Sequence, residues 1–223
     1  MDIVPQASLF LGIIPALIIL YFCIKANEGE YKEKTIFLSF IVGIILGFVS
    51  AIVRWIIYDP LLVYIILLAF FEQLIKTIIL NLGRFHEKRE TLFYGLSIGL
   101  GFGSVFTPFL IIQGGTLPNT DISYMLSVAI GSFGIILFQG STGALIGYGI
   151  YRGKLLHYLF ACILIQIPFN LLIDFSRVIN DTNNLLYQSG LFIFGFFVFI
   201  YVYKKIIPQL ISARKRTKKT VKK

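Results

Sequence analysis

Residues 61–82 read LLVYIILLAFFEQLIKTIILNL. A helix needs about 20 apolar residues to cross the hydrocarbon core of a bilayer. This stretch meets that length, and Glu72 and Lys76 are its only ionisable interruptions apart from Tyr64. Working outward, six further runs of the same kind lie at 7–24, 35–57, 92–113, 124–151, 155–177 and 186–207. The chain therefore reads as an all-α, polytopic helical membrane protein with about seven spans. The run at 124–151 exceeds what a span needs, so it is expected to tilt or to start at the interface.

Composition excludes other classes. Hydrophobic residues make up 57% of the 223 and charged residues 14%, where soluble domains carry about 25% charged. Mean hydropathy is +0.85. Such a chain is too apolar for a soluble enzyme, a nucleic-acid-binding domain or a disordered segment. The net charge of +9 is concentrated: nine of the 20 Lys and Arg lie between Lys204 and Lys223. Two regions follow, a transmembrane bundle over 1–207 and a basic cytoplasmic tail over 208–223.

The breaks between spans give the topology. Basic residues occupy the first break (Lys25, Lys32, Lys34), the third (Arg84, Lys88, Arg89) and the fifth (Arg152, Lys154). The second and fourth have none, and the sixth has Arg177 at its edge. By the positive-inside rule this predicts the N-terminus outside, the C-terminus in the cytoplasm, and an odd number of spans. The first span lacks a preceding Lys or Arg and reads as a retained helix, not a cleaved signal peptide. Localisation follows as cell membrane, multi-pass. Cys23 and Cys162 fall inside spans and read as small packing residues. Asn180-Asp181-Thr182 is a glycosylation sequon in the last external loop.

Ionisable groups at membrane depth are costly and mark functional sites by default. Glu72 and Lys76 are one helical turn apart with the acid first, which predicts a direct pair. Arg54 and Asp174 lie near outer span ends and are expected to snorkel to the surface. Gln139 and Gln166 fall at the depth of Glu72, with Gln73, Asn170, Ser141 and Thr142 close by. Lipid cannot satisfy these groups, so they should converge inside the bundle. One reading is polar glue between helices; the other is a midplane ligand, ion or active site. Gly95, Gly99 and Gly103 form overlapping GxxxG steps, and Gly140, Gly143, Gly147 and Gly149 repeat the style, predicting close helix approach.

The order of these features resembles the PrsW family of intramembrane proteases, within the CAAX-processing and bacteriocin-processing membrane peptidases. Ile14-Pro15-Ala16-Leu17 with Tyr21, and Phe40-Ile41-Val42-Gly43, are similar to its opening. Phe71-Glu72-Gln73-Leu74-Ile75-Lys76 resembles a Glu-Glu-x-x-Lys motif with Gln73 for the second Glu. Tyr94-Gly95 through Gly99-Leu100-Gly101-Phe102-Gly103 resembles a helix that ends in Glu-Asn, here Phe106-Thr107. Gln139 and Gln166 stand in His positions, and Asn170 closes the later motif. The resemblance covers roughly residues 10–175. It implies a peptidase scaffold in which paired acids and histidines activate a water, with or without a metal.

Most of that chemistry is replaced. Gln is neutral and cannot act as a base, and a zinc site needs about three His, Cys, Asp or Glu ligands. His86 reads as a solvated loop residue and His157 as an interfacial one, so neither a metal nor another cofactor is expected. Glu72 and Lys76 remain the candidate catalytic groups; Gln73, Thr107, Gln139, Gln166 and Asn170 are the candidate polar pocket. The balance leans against an enzyme and toward a catalytically inactive membrane binding or assembly subunit. A divergent peptidase using Glu72 and a small transporter or channel are the alternatives. Expected partners are the lipid bilayer, other transmembrane proteins, and anionic lipid at the basic tail, with no nucleic acid.

Overall fold

A computed structural model describes residues 3–25, 31–57, 62–83, 89–113, 122–178 and 184–210. The sequon at Asn180, most of the Gly114–Ser123 external loop, His86 and the tail beyond Leu210 lie outside them. Every secondary-structure element among the described residues is helical. The elements are α1 (Ile3–Lys25), α2 (Glu33–Ile56), α3 (Leu62–Leu80), α4 (Thr91–Ser104), α5 (Phe106–Gln113), α6 (Ile122–Tyr151), α7 (Leu155–Val178) and α8 (Asn184–Tyr201). A π-helical turn, Val202–Ile206, follows α8, and the helix continues to Leu210. Six helical stretches are long and apolar enough to cross a membrane, so the chain has the character of a multi-pass membrane protein. The expected first span coincides with α1, whose described apolar section, Phe10–Lys25, is shorter than a span.

The expected fourth span is one helix broken in two at Val105. Pro108 has no N–H to offer the Ser104 carbonyl one turn back, and its ring crowds that carbonyl. The break is where α1 docks: a Cβ on Gly12 would lie 1.7 Å from Ser104 O and 3.0 Å from Pro108 Cγ.

The bundle is layered around α4 and α6. Of the α4–α5 span Thr91–Phe109, 94% is buried, and of the α6 span 83%, against 17–39% of the others. The glycine faces explain how two helices can be so enclosed. A Cβ on Gly95 would sit 2.2 Å from Gly143 O, and one on Gly143 would sit 2.2 Å from Gly95 O. Neither backbone can approach the other with a side chain in between, which is the close-approach geometry of small-residue faces. Next to α4, α2 uses Gly43 against the Ile98 carbonyl and Gly47 against that of Phe102.

One end of the bundle is tied together by named contacts. Lys32 N donates to Tyr94 Oη, joining the starts of α2 and α4. A Cβ on Gly147, near the end of α6, would meet the Thr91 carbonyl at the start of α4. Tyr148 Oη donates to Gln209 Oε1 at 2.8 Å, holding the chain after α8 against the end of α6. Lys25, Lys32, Lys34, Arg152, Lys154, Lys204 and Lys205 are exposed at this end.

Candidate functional site

α2, α3, α6 and α7 each bring one polar face to a common centre. On α2 the buried positions Ser39, Gly43, Gly47, Ser50 and Arg54 recur at helical spacing. On α3, Ala69, Glu72, Gln73 and Lys76 face inward. On α7, Gln166, Asn170 and Asp174 repeat every four residues, and α6 supplies Gln139 and Thr142.

Glu72 is the hub, and it is 1% exposed. Its Oε1 accepts from Ser50 Oγ at 3.2 Å and Arg54 Nη2 at 3.4 Å. Its Oε2 accepts from Gln166 Nε2 at 2.7 Å and Gln139 Nε2 at 3.2 Å. Arg54 Nη1 donates to Asp174 Oδ1 at 3.0 Å, so one guanidinium holds two carboxylates. Lys76 Nζ donates to Gln139 Oε1 at 2.6 Å and Thr142 Oγ1 at 3.0 Å. The chain of contacts Lys76–Gln139–Glu72–Arg54–Asp174 carries two cations and two carboxylates, so the buried charges balance. Aromatic faces lie under both cations: Phe102 is 4.8 Å from Lys76 Nζ, and Phe106 is 5.1 Å from the Arg54 guanidinium carbon. Ring quadrupoles of this kind attract desolvated cations.

Three expectations change here. The contact pair of Glu72 is with Arg54 rather than Lys76, and Lys76 is hydrogen-bonded to the Gln139 amide while staying within electrostatic reach of Glu72. Arg54 does not snorkel: it is fully buried. Asp174 does not reach outward either, being 8% exposed and paired with Arg54. The physical reason is shared. Both residues lie near span ends in depth, but both point along the packing face of their helix, where a countercharge is nearer than water. Helical spacing carried the signal, since Arg54 continues the small-residue stripe of α2 and Asp174 continues the Gln166–Asn170 row.

The structure brings together Glu72, Lys76, Gln139, Gln166, Gln73 and Asn170. Gln73 Nε2 donates to Gln166 Oε1, and Gln166 Nε2 donates to Asn170 Oδ1 at 2.9 Å. Gln73 Oε1 and Asn170 Nδ2 are buried with no hydrogen-bond partner among the described residues. Thr107 is buried next to Phe106 but stands outside these hydrogen bonds. Ser141 turns to its own helix, donating to Leu137 O. Cys162 and Cys23 are buried cysteines outside any disulfide among the described residues, and Cys162 Sγ lies 3.6 Å from Thr142 O. Among the described residues no three His, Cys, Asp or Glu come together as metal ligands. His157 is exposed beside Tyr158, at the start of α7.

Chemically the centre is closed. A carboxylate offers about four lone-pair sites, and Glu72 has four donors on them. It can anchor helices, but a general base needs a free acceptor facing water or substrate. Compared with known proteins, the chain finds no matching family model, no matching curated protein and no matching solved structure.

Proposed function

We propose that the chain is a seven-span protein of the cell membrane, N-terminus outside and C-terminus cytoplasmic, built on a PrsW-like scaffold that hydrolyses nothing. In this reading it serves as a membrane binding or assembly subunit. The observation that carries the catalytic half is the set of four donors on Glu72. Gln139 and Gln166 supply two of them from positions where the resembling family has histidines. Phe106, standing where that family has a Glu, lies under Arg54 instead. The substituted positions thus support a neutral, hydrogen-bonded core in place of acid–base groups.

The binding half rests on the α3–α7 seam. Gln73 Oε1 and Asn170 Nδ2 present one acceptor and one donor at membrane depth. Leaving each unmade costs about 1–3 kcal/mol, a penalty that a polar group on an associating helix would remove by parting α3 from α7 to reach these buried atoms.

The test pairs cleavage with assembly. Wild-type and Glu72→Gln proteins are co-expressed with a panel of single-span membrane proteins. The reading expects the panel equally intact with both, and a co-purifying membrane helix whose recovery falls on Asn170→Leu. Cleavage products formed with wild type and lost with Glu72→Gln would establish the divergent peptidase instead.

A further inference from the structure

Among the described residues, four exposed basic side chains of the basic end, Arg152, Lys154, Lys204 and Lys205, lie on the α6–α7 turn and the π-helical turn. Arg152, Gly153 and Lys154 form the α6–α7 turn. Gly153 has φ +66°, Gly153 N donates to Ile150 O at 3.1 Å, and Lys154 N donates to Gly149 O at 2.9 Å. These two bonds are a Schellman closure with glycine at the left-handed position. The turn is therefore fixed, and Arg152 and Lys154 leave it as exposed side chains. Among the described residues, no heavy atom outside the immediate chain lies within 4 Å of where a Gly153 Cβ would be.

The second half of this group is on the π-helical turn. The wider turn buries Val202, Ile206, Ile207 and Leu210 against the bundle and leaves Lys204 and Lys205 exposed. Tyrosines join the halves. Arg152 lies over the Tyr148 ring at 5.6 Å, and Lys205 lies over the Tyr201 ring at 5.6 Å. Tyr158 packs edge-on to Tyr148 with centroids 5.4 Å apart, and it is within electrostatic reach of Tyr201 and Arg152. Tyr148 is also hydrogen-bonded to Gln209. These contacts bring Arg152 and Lys205 to one corner of the bundle, with Lys154 and Lys204 next to them in sequence and exposed. The two described acids of this end, Glu33 and Glu90, sit at the starts of α2 and α4, and Glu90 is taken by Tyr94.

We propose that Arg152, Lys154, Lys204 and Lys205, with Tyr158 and Tyr201 beside them and the buried Tyr148 ring behind Arg152, form a binding site for anionic phospholipid headgroups. Tyrosines of membrane proteins concentrate at headgroup level, and Tyr201 is exposed and Tyr158 half-buried at this end. Lys and Arg at that level attract acidic lipid. The corner lies where helices expected to span the membrane emerge, so phospholipid phosphate is the anion always in front of it. The site is independent of whether Glu72 is catalytic. It also differs from charge attraction by the tail: Leu210 is buried on the bundle, and the corner is complete before the tail's Arg214, Lys215 and Arg216 begin.

The experiment uses the full chain in nanodiscs of 80:20 phosphatidylcholine and phosphatidylglycerol, with the retained lipids counted by native mass spectrometry. Each cation at the surface is worth roughly a fivefold preference for acidic lipid. Lys204→Gln with Lys205→Gln should then lower the phosphatidylglycerol-to-phosphatidylcholine ratio of the retained lipid by about five- to thirtyfold. Adding Arg152→Gln and Lys154→Gln should remove the remaining preference for phosphatidylglycerol. Lys32→Gln with Lys34→Gln removes equal charge elsewhere on the same end and should lower the ratio by clearly less than the corner pair does. Truncation after Leu210 should preserve most of it. All these side chains are exposed, so melting temperatures should match wild type; a quadruple variant that unfolds is replaced by the two double variants. Equal losses in the Lys32/Lys34 variant, loss on tail truncation alone, or displacement of the lipid by millimolar inorganic phosphate would overturn the proposal.

Discussion

Replacing Gln139 by leucine should destabilise the bundle by about 2–4 kcal/mol. Gln139 is 2% exposed and its amide serves opposite charges at once. The carbonyl accepts from Lys76 at 2.6 Å and the amide nitrogen donates to Glu72 at 3.2 Å. A buried hydrogen bond to a charged group contributes about 1.5–3 kcal/mol, so the gross loss is about 3–6 kcal/mol. Two features reduce it. Lys76 keeps Thr142 and the Phe102 ring, and Glu72 keeps Ser50, Arg54 and Gln166. Leucine has nearly the volume of glutamine, so no cavity adds to the loss. The companion variant separates charge from shape. Adding Lys76→Met removes the ammonium left short of partners, and it should recover at least about 1 kcal/mol, because an apolar replacement is tolerated where a stranded ion is not. Unfolding in mixed micelles by increasing SDS, followed by circular dichroism and by Trp55 fluorescence, reads both. A Gln139→Leu protein within about 0.5 kcal/mol of wild type, or a double variant less stable than the single one, would refute the bridging role.

Gly95→Ala should cost about 1–3 kcal/mol or prevent folding, since its Cβ would fall 2.2 Å from a backbone oxygen. Gly190→Ala, in open space on α8, should be neutral or slightly stabilising, and melting of the two variants checks the contrast. For the topology, a cysteine at Gln6 should react with a membrane-impermeant maleimide on intact cells. One at Lys219 should react only after permeabilisation, and the reverse pattern would invert the orientation.

The helical spans and the convergence of Glu72, Gln139 and Gln166 are legible because hydrocarbon leaves little choice. Twenty apolar residues must be helical, and polar groups at one depth must find each other. The pairing within the cluster is less legible. Arg54 and Asp174 resemble snorkelling residues when only depth is counted; direction around the helix decides, and the Ser39–Gly43–Gly47–Ser50 stripe points Arg54 inward. Nor does the Glu72–Lys76 spacing reveal that Gln139, 63 residues beyond Lys76, will step between them. The break at Val105 is visible in Pro108 once the missing N–H is counted against Ser104. The corner of tyrosines and cations depends on α6 and the chain after α8 ending side by side, which spacing along the sequence does not contain.

The most direct test of a structural Glu72 is a double-mutant cycle with Arg54. Removing one partner of a buried pair is strongly destabilising, so Arg54→Met alone should lose about 3–5 kcal/mol. With Glu72→Gln and the double variant, SDS unfolding should give a coupling energy of at least about 1.5 kcal/mol, within the range for residues in one network. Additivity within about 0.5 kcal/mol would mean that Glu72 is not committed to Arg54, and would contradict the buried pair at the centre of the account.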